Sequence, residues 1–249
     1  MDVTDYFGDR SEAYARFRPD YPDAALRAAL EGLPSPAEVV DLGCGTGISS
    51  RAFARAGAAV TGVEPNAAMR AAAEATGGGP RYVDGRAEAS GLPAASCDLV
   101  SAAQAFHWFD FEEALAEAHR LLRPGGRLAL LWNVRQPTTP FMQDYAAVVA
   151  AGKRQTLAEG HKRVSDLRSA SPAESRYFRD ARQLTFDNTD PLTWEEVEGR
   201  LSSASYFPAE GPLRVESLAQ LRASFERNAR GGRVDYVQRT EVTLAERAG

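Results

Sequence analysis

"VVDLGCGTGISSRAF", Val39 to Phe53, is the stretch whose reading decides the fold. It begins as a short β-branched apolar run, crosses three glycines within five residues (Gly43, Gly45, Gly47), and continues as a helix-forming segment. A strand-to-helix turn needs only one glycine. Three mean that something has to lie against bare main chain, because glycine admits positive φ and lets a ligand approach more closely than a Cβ would. The helix that follows brings unpaired N–H groups to the same place.

Working outward, the run 37–42 reads as a buried strand and Ile48–Ala56 as a helix stopped at Gly57. "AAVTGVE" (58–64) is a second strand, Asn66–Ala75 a helix, and "RYVDG" a third strand. "CDLVSAA" (97–103) is a fourth strand, Phe111–Leu122 a helix, "RPGG" (123–126) a turn, and "RLALLWN" (127–133) a fifth strand. Strands alternating with helices at this pitch imply βαβ units and a mostly parallel sheet. Upstream, residues 10–32 read as two short helices broken at "RPDYP" by Pro19 and Pro22. Downstream the rhythm breaks: 137–180 reads as helical and polar, "RQLTFDN" as a strand, and 193–204 and 215–229 as helices. "DYVQRTEVTLAER" alternates, which predicts a more exposed, antiparallel last strand. The expected fold is a doubly wound α/β sheet of seven strands, mostly parallel, with one antiparallel strand. Within a single domain, 1–34 would form an N-terminal helical cap and 35–133 a cofactor-binding core. Residues 134–180 would form a helical substrate-side insert, and 181–249 would complete the sheet.

The chain of 249 residues is 44% hydrophobic and 25% charged, the profile of an ordinary globular protein. A net charge of −5 lacks the basic surplus of a nucleic-acid binder, so no nucleic-acid partner is expected. The N-terminus lacks the basic-then-apolar layout of a secretory signal, and no run approaches the roughly 18 apolar residues of a membrane span. Two cysteines, Cys44 and Cys97, argue against a disulfide framework or a zinc site and fit a reducing cytoplasm.

In an open parallel sheet the ligand lies outside the carboxyl ends of the strands where the strand order reverses. A nicotinamide site there wants G-x-G-x-x-G. This chain instead offers G-x-G-x-G, with Ile48 where the third glycine of that pattern would stand and Asp41 two residues before Gly43. The second strand ends in Glu64, 17 residues past Gly47 (64 − 47). A carboxylate at that strand end can accept both hydroxyls of a ribose through charge-assisted hydrogen bonds. Glycine turn and acidic strand end, in this order along one βαβ unit, point to a nucleoside ligand.

"VVDLGCGTG", "GVEP" with Met69 four residues on, "GRAEASGLP", "CDLVSAAQAFHWFD" and "LLRPGGRLALLWN" together resemble the class I S-adenosylmethionine-dependent methyltransferases. The wider similarity is to the ubiquinone/menaquinone-biosynthesis type. "RFRPDYP" and "AQAFHWFD" bring the chain closer to the trans-aconitate methyltransferase-like group. The resemblance covers roughly residues 10–133. It implies a Rossmann-like methyltransferase fold, S-adenosyl-L-methionine as cofactor and S-adenosyl-L-homocysteine as product. By the resemblance, Gly43, Gly45 and Gly47 line the methionine and ribose portion, and Asp41 faces the amino group directly or through water. Glu64 holds the ribose hydroxyls, Pro65 packs beside the adenine, and Ala87 offers it backbone groups. Arg86 stands where many relatives carry an acidic residue for the adenine amine. Gln104 lies along the methionine portion, with Tyr14 and Arg18 over the cofactor.

S-adenosylmethionine carries an activated methyl, so the remaining task is to align a nucleophile and exclude water, which supplies about 7–11 kcal/mol at best. The acceptor site is expected from "QAFHWFD", "WN" and the insert: Phe106, Trp108, Trp132, Asn133 and, later in the chain, Tyr206. His107 is the candidate catalytic residue, as a base toward a hydroxyl or as a group that only positions the acceptor. His119 reads as a surface residue, and Cys44 carries no chemical role. Between Ala151 and Phe178, six basic residues (Lys153, Arg154, Lys162, Arg163, Arg168, Arg176) face three acidic ones (Glu159, Asp166, Glu174), leaving +3. Such a lid would attract an anionic acceptor, and a carboxylate needs no general base. The expected activity is O-methylation of a small molecule by a monomer or homodimer. C- or N-methylation, a non-methylating cyclase or cofactor-binding module, and a nicotinamide oxidoreductase are the alternatives.

Overall fold

The computed structural model describes residues 17–158, 172–204 and 207–249. Helix α1 (Asp23–Leu30) precedes β1 (Glu38–Leu42), α2 (Ile48–Arg55), β2 (Ala59–Val63), α3 (Ala67–Thr76), β3 (Arg81–Val83) and β4 (Cys97–Ala103). After a short 3₁₀ turn at Phe106–Trp108 come α4 (Phe111–Leu121), β5 (Leu122–Arg135), α5 (Pro140–Ala158), β6 (Phe178–Leu192), α6 (Trp194–Ser202), α7 (Pro212–Asn228) and β7 (Val234–Arg247). They build one seven-stranded sheet in the order β3-β2-β1-β4-β5-β7-β6. The pairs β1–β2, β2–β3, β1–β4 and β4–β5 are parallel, and β7 runs antiparallel to both β5 and β6. The order reverses between β1 and β4, and the carboxyl ends of those two strands open the crevice such sheets use for ligands.

The inner strands are apolar on both faces because helices cover both. On one face α1 and α2 contribute Ala25, Leu26, Ala29, Ala52 and Phe53, packed against Val39, Val60, Leu99, Ala129 and Leu131. On the other, Ala114, Leu115, Ala118 and Leu121 of α4 meet Val40, Leu42, Val100, Leu128 and Leu130. A third core joins α5, α6 and α7 to Val234 and Tyr236 of β7. Helix α6 starts at a capping box in which the Thr193 side chain and Glu196 satisfy each other's backbone amides.

Three sequence expectations change. The last strand is interior to the sheet, between β5 and β6: Val234, Tyr236, Gln238, Thr240, Val242 and Leu244 are buried, while Asp235 and Arg239 on the alternate face stay exposed. The edge belongs to β6, twice as long as the run read from "RQLTFDN", and its exposed residues Arg179, Arg182, Gln183, Thr185 and Asp187 are polar, which discourages further strand pairing. "RPGG" does not end a loop. Pairing with β4 already begins at Leu122 opposite Cys97 and resumes at Arg127 opposite Leu99, so the four residues form an irregular excursion within β5. Tyr14, Tyr206, His161 and three of the six basic residues of the 151–178 stretch, Lys162, Arg163 and Arg168, lie outside the described residues.

Candidate functional site

Gly43, Gly45 and Gly47 all adopt left-handed backbone (φ 65°, 56° and 78°), and Gly47 caps α2. Their surroundings differ. A Cβ on Gly43 would fall 2.8 Å from Phe109 Cζ, and one on Gly47 would overlap the Tyr82 hydroxyl and lie 2.9 Å from Arg51 Nη1. One on Gly45 would meet only Met69 Sδ at 3.9 Å. Two glycines are thus required by protein packed against them, and at the third a Cβ would find only an ordinary contact with Met69. In the same turn the Thr46 hydroxyl is buried and bonds to no protein atom.

Glu64, just past β2, reaches back to this turn. Its Oε2 accepts the Gly45 N–H at 2.9 Å and its Oε1 the Asn66 N–H at 2.9 Å, while Arg70 Nη1 donates to its carbonyl. Burial raises its pKa against the lowering effect of those amides and of Arg70. Asp41 is fully buried in β1 and accepts three hydroxyls: Ser49 at 2.6 Å and Ser50 at 2.7 Å from α2, and Ser101 at 2.7 Å from β4. Burial raises its pKa as well, outweighing the three hydrogen bonds. Asp41 stands opposite Ser101 in the β1–β4 register, so this carboxylate ties the turn's helix to the strand across the switch point. Its expected contact with a cofactor amino group has to compete with three serines already in place.

Beside this lies the loop after β3. Arg86 and Ala89 exchange backbone hydrogen bonds, and the half-exposed Arg86 guanidinium pairs with Glu88 at 3.6 Å. Ala87 between them is buried, and Pro65 is half-buried after Glu64. Across the crevice, Gln104 ends β4 with φ 56°, a conformation rare outside glycine and costly to hold. Its amide donates to the Asn133 carbonyl at 3.1 Å. The Asn133 side chain accepts from Thr240 at 2.5 Å and Asn188 at 3.1 Å and donates to the Asp20 carbonyl at 3.2 Å. Asn133 therefore locks the N-terminal segment onto the sheet. Arg18 serves the same segment by donating to the Ser203 carbonyl at the end of α6, at 3.3 Å.

His107 sits in the 3₁₀ turn with its ring 4.9 Å from that of Trp108 and 5.3 Å from that of Trp132. Trp108 is exposed and Trp132 buried. Phe106 turns inward, edge-on to Phe109 and Phe111, and backs the wall from within the core. Phe109, whose ring rests on Gly43, joins the turn to this aromatic loop. His119 is not a plain surface residue: its Nε2 lies 3.0 Å from the Ala248 carbonyl and its ring near Tyr177 and Phe178. Burial pushes the Cys44 thiol well above its usual range, with Asp41 and Glu64 adding to the effect, so no thiolate is available beside the turn.

Sequence reasoning missed Ser49, Ser50, Ser101 and Tyr82, and read Phe109 as acceptor wall without its contact to Gly43. A signal existed for the serines: Asp41 and Ser101 are polar residues within two largely apolar runs, and two serines open the helix after the glycines. The contacts of Tyr82 with Gly47 and of Phe109 with Gly43 carried none, since each depends on a neighbour distant in sequence. Among the described residues no cluster of three or more metal-ligating side chains forms, and no helix is long and apolar enough to cross a membrane.

Residues 40–130 match the model of a methyltransferase domain family. An uncharacterized methyltransferase of Schizosaccharomyces pombe is 32% identical over 216 residues, 86% of this chain and 82% of the relative. One from Mycobacterium tuberculosis is 36% identical over 149 residues, 59% of this chain, and the match spans 60% of that relative's length. The malonyl-[acyl-carrier protein] O-methyltransferase of Pseudescherichia vulneris is 35% identical over 125 residues, 49% of this chain and 50% of its own. Among solved structures, a protein from Anaeromyxobacter dehalogenans provisionally named a type II methyltransferase superposes with a TM-score of 0.63 at 26% identity, covering 94% of this chain and 97% of that one.

Proposed function

The chain belongs to the methyltransferase family, and from that premise we propose that it transfers a methyl group from S-adenosylmethionine to an oxygen of a small-molecule acceptor, a carboxylate before a hydroxyl. The observation that carries this reading is the pairing of an open-faced Gly45 with Glu64 bonded to that residue's amide. Bound there, S-adenosylmethionine supplies a sulfonium-activated methyl. The chain's own residues do the rest. Gly45 presents main chain beside which the nearest side-chain atom to a Cβ position is Met69 Sδ at 3.9 Å. Each Glu64 oxygen accepts one amide and keeps a second acceptor site for a ribose hydroxyl. The buried Thr46 hydroxyl is a polar group still in want of a partner. Gly43, Gly47, Pro65, Arg86 and Ala87 border the same crevice, with Gln104 opposite and Arg18 at the N-terminal segment.

His107, Trp108 and Trp132 form the acceptor wall, and His107 positions the acceptor rather than removing a proton from it. The basic excess between Ala151 and Phe178 supports an anionic acceptor, and so does the relative whose name describes O-methylation of a malonyl group. We further place the protein in the cytoplasm, as a monomer or homodimer, with 134–180 covering the acceptor. Calorimetric titration with S-adenosylmethionine and with NAD should give binding for the first and none for the second; the reverse outcome refutes the reading. A screen of small acids and phenols for S-adenosylhomocysteine release should return acids first. Binding of S-adenosylmethionine with no S-adenosylhomocysteine released from any acceptor would instead point to a cyclase or a binding module. On the acid found, His107→Ala should lower turnover by less than about 100-fold with no new pH dependence, since general-base loss typically costs 10²–10⁴-fold.

A further inference from the structure

Helix α4 buries an apolar row, Ala114, Leu115, Ala118 and Leu121, yet Glu117 in the middle of the helix is also buried, at 7% exposure. A carboxylate belongs there only if it meets partners that no apolar residue could. Its partners are in the loop between β3 and β4. Glu117 Oε1 accepts both the Ser90 N–H at 2.9 Å and the Ser90 hydroxyl at 2.5 Å. The Ser90 oxygen in turn accepts the Leu92 N–H at 3.2 Å. Arg120, one turn further on, grips Glu117 at 2.6 and 2.7 Å and donates to the Leu92 carbonyl at 2.7 Å. A second tether sits at the other end of the helix, where Glu88 Oε1 accepts the Asp110 N–H at 2.9 Å. The loop has no slack: a Cβ on Gly85 would fall 2.7 Å from the Ser90 carbonyl oxygen.

This loop carries Arg86 and Ala87, the residues assigned to the adenine side of the crevice. We propose that Glu117 is a positioning residue for the cofactor, holding the loop of Arg86 and Ala87 in its binding shape through Ser90 without touching the ligand itself. The inference rests on the cofactor reading above. It assigns a functional role to a residue on the far side of the loop from the crevice. Main-chain groups can recognise an adenine edge only if they stay put, and Ser90, buried at 2% exposure, is the point at which the loop is fixed.

The test is calorimetric binding of S-adenosylhomocysteine to wild type, Glu117→Ala, Glu117→Gln and Ser90→Ala, each with a thermal melt, and Glu226→Ala, at an exposed side chain of α7, as a control. Glu117→Ala should weaken binding at least about tenfold (1.4 kcal/mol) and raise amide hydrogen exchange in 84–92. Glu117→Gln keeps an oxygen acceptor for Ser90 and should recover most of the affinity, while Glu226→Ala should leave it unchanged. A purely structural Glu117 would lower the melting temperature and leave the affinity of the folded protein untouched, and that result overturns the proposal. Should Glu117→Ala fail to fold, Ser90→Ala decides: a loss of about threefold or more supports the proposal, and wild-type affinity overturns it. Wild type that binds no S-adenosylhomocysteine overturns the cofactor reading and this inference together; wild type that binds, with both variants unchanged, overturns the inference alone.

Discussion

Alanine at Gly45 and alanine at Gly47 should fail in opposite ways, although the two glycines are two residues apart and share a left-handed backbone. That conformation costs an L-residue about 1–2 kcal/mol. At Gly45 the added methyl meets only Met69 Sδ at 3.9 Å, an ordinary contact, so the φ penalty is the whole cost. For a domain of this size it corresponds to a melting temperature lower by about 2–8 °C. At Gly47 the methyl overlaps the Tyr82 hydroxyl and comes within 2.8 Å of Tyr82 Cζ and 2.9 Å of Arg51 Nη1. Overpacking of this kind adds about 1–3 kcal/mol, for a total of about 2–5 kcal/mol. Binding should reverse the ranking. The Gly45 methyl stands on main chain that the cofactor needs bare and should weaken S-adenosylhomocysteine at least about tenfold. The Gly47 methyl points at Tyr82 and Arg51 and should leave the affinity of the folded protein within about twofold. Urea unfolding and calorimetric titration of both variants measure the two quantities separately. Wild-type affinity in Gly45→Ala, or equal stability of the two variants, would refute the assignment of one glycine to ligand and the other to packing.

Asp41→Ala should be among the most damaging substitutions in the chain. It strands three buried hydroxyls, each costing about 1–3 kcal/mol when unpaired, so a loss of at least about 3 kcal/mol is expected by urea unfolding. A loss below about 1 kcal/mol would mean the serines find other partners. Stability should also carry a pH signature. Burial raises Asp41 and Glu64 above 3.8 and 4.5, so the folded state holds their protons longer than the unfolded chain. Their contribution therefore declines as pH rises from those values through the folded ones, then levels off, and Asp41→Asn should lack its share of that decline. Glu117 has the opposite sign. Even against the opposing effect of burial, its hydrogen bonds to Arg120 and Ser90 hold its pKa below 4.5. Its contribution is full above that value and is lost as pH falls through the depressed one. The stability gap between wild type and Glu117→Gln should accordingly close under acid, and a gap that widens there would contradict the hydrogen-bond assignment.

What could be read from the residues in order was whatever depends on neighbours a few positions away. The glycine turn, the apolar runs 37–42 and 97–103 and the breaks at glycine and proline specify strand, turn and helix through local backbone preference, and Cys97–Ala103 was read to the residue. Glu64 was legible because a fixed chain length separates two strand ends within one βαβ unit. The alternating, antiparallel character of the last strand was legible but its interior place was not, because a period of two records only that its faces differ, not whether a further strand will cover its edge.

The remaining decisions were tertiary. That Gly43 and Gly47 exist for Phe109 and Tyr82 while Gly45 stays open, that Asp41 faces Ser101, and that Glu117 fixes Ser90 all join residues brought together by sheet order. Ser101 lies 60 positions from Asp41, and Glu117 lies 27 from Ser90. Sequence alone determined a nucleotide-type turn and the acidic strand end that accompanies it. Which of its glycines are packed against side chains, and which polar groups are already satisfied by the protein, became definite only when distant strands and helices closed around it. Buried hydrogen bonds and steric contacts are properties of the packed arrangement, and no local spacing encodes them.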